Sequence, residues 1–327
     1  MRIALVGCGL IGAKRLAALD KSDQLVAVCD LDQARAKKLA AQYAGADVVA
    51  DPLALCAYAK ADAVVIAVTH DNLALLAEAA AKKGKHVMLE KPGARRPHEL
   101  DPVIAAAKAA GVTVKVGFNH RFHPAMLKAR EIFDSGEPGP VMFIRGRYGH
   151  GGRVGYEKEW RFDAAVSGGG ELLDQGSHLI DLSRWFMGDF ARCWGRAPSY
   201  FWQGDVDDNA FMALESASGA MAWLHAGWSE WKNIFSLEIM CRNAKLQIDG
   251  LGGSYGVESL THYKMLPEMG PPETTKYEYP FPDKSWQLEW AEFKSAIAEK
   301  RRPLSDLEDA KAVLAVVEGI YERNQAP

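Results

Sequence analysis

The chain has 327 residues, 48% hydrophobic and 25% charged, which is more chain than one hydrophobic core usually organises and predicts two domains. Its 39 Lys and Arg against 42 Asp and Glu give a formal net charge of -3, so no basic excess is present to neutralise a nucleic-acid backbone or an anionic lipid surface. The longest apolar runs, such as Ala63 to Val68, fall far short of the roughly 20 residues that cross a bilayer, so neither nucleic acid nor membrane is an expected partner.

Arg2 followed by apolar Ile3 to Ala13 imitates a secretory leader, but Gly7, Gly9 and Gly12 interrupt it and Lys14 and Arg15 follow at once. The five cysteines, at positions 8, 29, 56, 193 and 241, form no C-x-x-C pair and no zinc-ligand spacing. Both features point to a reducing cytoplasm and to no metal site.

Residues 1 to 118 repeat one pattern, a short β-branched run, a turn, then an Ala-rich stretch with helical spacing. The runs are Arg2 to Val6, Gln24 to Cys29, Ala63 to Val68, His86 to Leu89 and Val112 to Val116, with helices expected over 32–43, 72–83 and 97–110. Continuous apolar strands alternating with helices predict a parallel sheet covered on both faces. After Gly117 a helix is expected over 124–135 and an antiparallel-type strand over 141–148. A charged, glycine-rich loop over 149–170 leads to one helix from Glu171 to about Met187, and 190–263 reads as a mostly antiparallel sheet. Residues 264–283 carry five prolines and read as a surface connection, followed by helices over 286–299 and 307–323.

Gly7-Cys8-Gly9-Leu10-Ile11-Gly12 is a G-x-G-x-x-G between the first expected strand and a helix. In that context Gly7 permits the turn, Gly9 lets backbone approach a pyrophosphate, and Gly12 lets the helix pack on the strand. Asp30 ends the second expected strand eighteen residues beyond Gly12. It is either a simple turn former or a partner for ribose hydroxyls, and in the latter role it favours NAD over NADP, with Arg35 the one feature that keeps NADP open.

The strand His86 to Leu89 runs into Glu90-Lys91-Pro92. Ligands sit beyond the carboxyl ends of such strands, so Lys91 is placed to donate to a substrate oxygen, the alternative being a solvated surface lysine. Asp174 and His178, four residues apart on the expected helix, make either a structural ion pair or an acid/base dyad, and three glycines (Gly168, Gly169, Gly170) ahead of them would let backbone come close to a ligand. His120 and His123 stand without an obvious carboxylate partner, which argues against a metal.

Taken in order, Gly7-x-Gly9-x-x-Gly12, Glu90-Lys91-Pro92, Gly117-Phe118-Asn119-His120-Arg121-Phe122 and Gly169-Gly170-x-x-x-Asp174-x-Gly176-x-His178-x-x-Asp181 resemble the glucose-fructose oxidoreductase / inositol dehydrogenase (Gfo/Idh/MocA) family across essentially the whole chain. The resemblance implies an α/β protein with an N-terminal Rossmann domain at 1–118. It also implies a C-terminal α/β domain at 119–327, whose large open, mostly antiparallel sheet mediates homodimers or homotetramers; the helix over 305–323 can pack back on the first domain. It further implies hydride transfer between NAD(P) and a ring carbon of a sugar, cyclitol or nucleotide sugar. On that analogy His178 takes the hydroxyl proton, Lys91 stabilises the developing alkoxide and Asp174 orients His178. Glu90, Lys91, Asn119, Trp160 and Arg161 then lie along the cofactor. One departure is Thr69-His70-Asp71-Asn72, where many members have Thr-Pro-Asn; the turn at Thr69 and His70 would still meet the dinucleotide through its backbone.

The loop from Gly149 to Arg161 is the expected specificity element or a charged surface loop. Arg153, Lys158 and Arg161 are candidates for an anionic group, Tyr156 and Trp160 for stacking, and Arg121 for substrate contact. Trp194, Trp202, Trp223, Trp228 and Trp231 line either a sugar site or, the favoured reading, a sheet face buried between subunits. The rival functions are an NAD-dependent glycoside hydrolase with no net redox change and a non-enzymatic NAD-binding regulator.

Overall fold

The computed structural model describes residues 1–324, so the last three residues of the expected second domain lie outside it. The chain divides into two compact units rather than at a single boundary. One comprises Met1–Phe118, Ala165–Gly168 and Trp286–Leu314; the other comprises Asn119–Ala164, Gly169–Ser285 and the residues from Ala315 on.

In the first unit the strands β1 (Arg2–Val6), β2 (Gln24–Cys29), β3 (Asp47–Val48), β4 (Ala63–Ile66), β5 (His86–Leu89) and β6 (Val114–Val116) form a parallel sheet in the order β3-β2-β1-β4-β5-β6. β1, β2 and β4 are buried almost throughout, as expected of a sheet covered on both faces, and this explains their unbroken apolar sequence. Asp32 and Asp51 start the helices Gln33–Ala40 and Pro52–Cys56 by accepting their first free amides, and left-handed Gly111 ends Asp101–Ala110. The strand order reverses beside β1, between β2 and β4. That reversal makes the carboxyl ends of β1 and β4 the crevice where such sheets bind ligands. Ile3, Leu5, Val28, Val65 and Met88 pack with Trp290 and Phe293, so the late return of the chain completes this core. The first part of the C-terminal helix Leu307–Asn324 also belongs to this unit, and Lys311 pairs there with Asp101. β3 and the helix Pro52–Cys56 were not legible in sequence, because each is too short to display a period.

The second unit holds an eight-stranded sheet. Its strands are β7 (Val141–Gly149), β8 (Phe190–Arg196), β9 (Asn209–Ser216), β10 (Met221–Gly227), β11 (Ile234–Cys241), β12 (Ala244–Asp249), β13 (Glu258–Lys264) and β14 (Glu273–Tyr279), ordered β14-β13-β12-β11-β7-β10-β9-β8. The sheet is antiparallel except between β7 and β10, which run parallel, in keeping with the mostly antiparallel sheet expected. Helices Pro124–Asp134 and Gly176–Met187 pack on one face, where Ile144, Leu214, Leu224, Leu237 and Leu246 are buried. The proline-rich connection expected over 264–283 contains β14. It is an edge strand, mostly exposed, so its residues carry no apolar signal. The single helix expected from Glu171 is interrupted at Gln175 into Glu171–Asp174 and Gly176–Met187.

Candidate active site

β1 ends in a turn that leaves Gly7 at φ +93°, and a Cβ there would lie 2.1 Å from the Ala67 carbonyl oxygen. A Cβ on Gly12 would lie 1.9 Å from the Gly7 carbonyl oxygen, so two of the three glycines are demanded by the protein's own packing. Gly9 is different. Nothing lies within 4 Å of its Cβ position, and it caps the helix Leu10–Ala17 without any side-chain hydrogen bond. That helix start therefore presents unsatisfied amides to open space, with Leu10 75% exposed and Ile11 partly covered beside it.

Asp30 accepts hydrogen bonds from the amides of Cys8 at 2.7 Å and Asp32 at 2.8 Å, one on each carboxylate oxygen. It thus braces the glycine turn and keeps the lone pairs that a ribose diol would use. Arg35 lies 3.6 Å from Asp30 and 3.5 Å from Asp32, an exposed cation already facing two carboxylates. These residues fit a dinucleotide: an open helix start for the pyrophosphate and a fixed carboxylate for the ribose. Gly12→Ala is accordingly expected to abolish NAD binding and lower the melting temperature, read by NADH fluorescence titration and thermal unfolding; wild-type affinity would show that the turn tolerates the Cβ.

Thr69 donates to Asp71, and buried His70 places Nδ1 2.8 Å from the Ser167 carbonyl oxygen. At the end of β5 the Glu90 amide bonds to Ile66, and Gly93 N–H closes a turn onto Glu90 at 3.0 Å. Lys91 and cis Pro92 fill the middle of that turn, with Lys91 partly exposed. One oxygen of the Glu90 carboxylate, expected along the cofactor, points inward and accepts from Arg15 Nε at 2.5 Å.

In the second unit Asn119–Phe122 is a buried single turn. Asn119 donates to Ser285 Oγ at 3.0 Å, which turns its carbonyl oxygen toward His120 Nδ1 at 3.2 Å. Arg121, an expected substrate contact, is buried and bidentate on Asp181. His123 does have a carboxylate partner, Glu258 at 2.9 Å, contributed by β13, 135 residues later and beyond local spacing rules. His178 is buried, and its ring stacks on His120 with centroids 3.7 Å apart and planes 17° apart. Tyr148 packs edge-on to His178 and tilted against His120, its phenol held strongly protonated by burial.

Asp174 Oδ2 lies 3.4 Å from Arg161 Nε. Arg161 also faces Glu159 at 3.4 Å and lies over the Trp160 ring, and Arg153 pairs with the same Glu159. Burial works against the charge on Arg161, but Asp174, Tyr156 and Glu159 outweigh it and hold the guanidinium protonated. Tyr156, a candidate for stacking, is buried among Phe162, Trp202, Val206 and Trp228. The five tryptophans divide accordingly. Trp228 and Trp202 belong to that cluster, Trp194 and Trp223 lie exposed on the sheet, and Trp231 is exposed beyond β10.

Each glycine of the triplet is required by the protein's own packing. A Cβ on Gly168 would meet Arg95 at 2.5 Å, on Gly169 the Tyr321 hydroxyl at 2.4 Å, and on Gly170 the Asp207 carbonyl oxygen at 1.9 Å. Asp207, which reads in sequence as a turn signal only, accepts from Gly170 N–H at 3.1 Å, Leu172 N–H at 2.8 Å and Tyr321 Oη at 2.7 Å, and so fixes the start of the helix bearing Asp174. Burial raises its pKa against the pull of these donors. Among the described residues no cluster of three metal-ligating side chains occurs.

Residues 1–118 match the family described as "Oxidoreductase family, NAD-binding Rossmann fold", and residues 126–247 match "GFO/IDH/MocA C-terminal domain". The chain belongs to the Gfo/Idh/MocA oxidoreductase family. It is 32% identical to inositol 2-dehydrogenase 2 of Saccharopolyspora erythraea over 231 residues, which is 68% of this chain and 65% of that one. It is 34% identical to levoglucosan dehydrogenase of Pseudarthrobacter phenanthrenivorans over 130 residues, or 39% of this chain and 33% of that one. The matches thus span less than two thirds of either relative. A solved levoglucosan dehydrogenase in complex with NADH and levoglucosan shares the fold, with TM-score 0.88 over 99% of this chain and 96% of that one at 21% identity. In this Gfo/Idh/MocA member, Arg15 and Asp207 are the residues with evident consequences for the motif positions that sequence reading missed. Each works through a partner remote in the chain.

Proposed function

We propose that this Gfo/Idh/MocA member is an NAD-dependent dehydrogenase that oxidises a ring hydroxyl of a neutral sugar or cyclitol. The observation that carries the substrate class is the internal pairing of Arg153 and Arg161 with Glu159 and Asp174, which engages two of the loop's three cations and leaves Lys158 as the remaining one for a phosphate, a carboxylate or the diphosphate of a nucleotide sugar. The relatives named for inositol and levoglucosan act on uncharged polyols, in keeping with that reading. NAD is preferred over NADP, because a 2′-phosphate would meet the Asp30 carboxylate while Arg35 is engaged by Asp30 and Asp32.

The amides around Gly9 to Ile11 hold the pyrophosphate, Asp30 holds the adenosine ribose, and the backbone at Thr69 and His70, with Asn119 and Trp160, lies along the rest. Bound NAD supplies the hydride acceptor. His178 accepts the proton of the substrate hydroxyl, being a group whose ordinary pKa suits proton transfer near neutral pH. Lys91 donates a charge-assisted hydrogen bond to the oxygen as negative charge grows there. Asp174, restrained by Arg161, orients His178 or a neighbouring substrate hydroxyl.

The protein assembles as a homodimer or homotetramer through the helix-free face of the second sheet, where Trp194 is 42%, Phe211 40% and Trp223 66% exposed. Trp223→Glu is expected to shift the assembly toward monomer in light scattering; an unchanged mass would place the interface elsewhere. All five cysteines are free thiols, which suits the cytoplasm.

The deciding experiment presents neutral sugars, cyclitols, sugar phosphates and nucleotide sugars with NAD or NADP and follows the reduced cofactor. Turnover of a neutral polyol with NAD is expected. Cleavage of a glycoside without net cofactor reduction would overturn the reading, and turnover confined to anionic sugars would overturn the substrate class.

A further inference from the structure

Arg15 lies on the helix that starts at the glycine turn, and it is buried. Its Nε donates to Glu90 Oε1 at 2.5 Å, its Nη1 donates to buried Glu289, and its guanidinium lies 4.4 Å from the centre of the Trp286 ring. A side chain on Gly117 would destroy this arrangement, since a Cβ there would lie 2.3 Å from Arg15 Nη2 and 3.3 Å from Glu90 Oε1. The Gly117 position in the motif is thus explained by the room that the Arg15–Glu90 pair needs.

A buried ion pair of this kind is weak evidence for stability, because desolvation offsets most of the attraction. What it fixes well is geometry: a planar fork bridging two carboxylates and stacked on an indole has one orientation. Glu90 is the first residue of the turn closed by the Gly93 amide, and Lys91 is the second. Anchoring the Glu90 side chain therefore anchors the backbone from which Lys91 departs. The same guanidinium sits on the helix whose first amides face the pyrophosphate site, so one side chain sets the cofactor helix and the Lys91 turn against each other.

We propose that Arg15, braced by Glu289, is a positioning residue that fixes the Glu90–Lys91 turn relative to the dinucleotide helix. The proposal rests on the reading of Lys91 as the oxyanion partner, and its test has a readout that does not. Lysines are reductively methylated with 13C, and the Lys91 dimethylammonium signal, assigned with Lys91→Arg, is followed in the NADH-bound enzyme. In parallel, kcat and KM for NAD are measured with myo-inositol and with levoglucosan.

Arg15→Met is expected to move the Lys91 signal and to lower kcat at least about tenfold with KM for NAD within about threefold, the pattern of a misplaced catalytic group. Arg15→Lys, which keeps the charge but cannot bridge both carboxylates, is expected to recover part of kcat and to leave a smaller displacement of the signal. If Arg15→Met does not fold, Arg15→Lys carries the test alone through the same signal. An unmoved Lys91 signal in the folded variant overturns the proposal. A moved signal with unchanged turnover supports the positioning and overturns the role of Lys91 in the reaction.

Discussion

Replacing Lys91 with alanine is expected to lower kcat by about two to three orders of magnitude, the worth of roughly 2.7–4 kcal/mol that one preorganised donor gives a developing oxyanion. KM for NAD is expected to change only a few-fold, because the pyrophosphate and ribose contacts assigned to the turn around Gly9 and to Asp30 do not involve this side chain. The split matters: an interaction realised only in the transition state lowers kcat and kcat/KM together, whereas lost ground-state binding raises KM. Lys91→Arg keeps the charge but presents a planar, bulkier head, and is expected to restore little. Steady-state kinetics at saturating NAD decide it, and near-normal turnover in Lys91→Ala would remove Lys91 from the chemistry.

The largest stability loss is expected at Asp207. Its carboxylate is buried and accepts from two backbone amides and the Tyr321 hydroxyl. Alanine there leaves those donors unpaired, at about 1–3 kcal/mol for each that water cannot reach, so a loss of about 2–5 kcal/mol is expected after relaxation. Burial raises the Asp207 pKa in the folded protein above its unfolded value. Its own contribution is then fully present below the unfolded pKa and shrinks as pH rises through the raised value, so the stability gap between wild type and Asp207→Ala is expected to narrow from acid toward neutral pH. Chemical denaturation at several pH values measures it. The functional corollary is a fall in kcat, since the helix Glu171–Asp174 starts from these bonds. Normal stability in Asp207→Ala would show that the helix start is held by other contacts.

The Rossmann half was legible because its signals are local. Apolar runs at β1, β2, β4 and β5 stand next to periodic helices, and the glycine turn follows β1 directly. The eight-stranded sheet was legible as strands, but not in its parallel β7–β10 pairing, since which strand lies beside which depends on chain crossings that no local pattern records. β14 escaped because an edge strand needs no apolar face. Among site residues, those recognised by motif kept their positions at turns and helix starts. Arg121 and Tyr156, read as binding candidates, are both buried; they are of types that serve binding and packing equally well, and no local pattern records their burial.

The sequence by itself determined the α/β class, the glycine turn after the first strand and the family, because each is written in residue types at short spacing. Only the tertiary structure decided what those residues touch. Arg15 meets Glu289 across 274 positions, Arg121 meets Asp181 across 60, and Gly170 meets Asp207 across 37. A buried charge or amide must be satisfied by whatever polar group the fold brings near. That partner is chosen by packing in three dimensions, and spacing along the chain carries no trace of it.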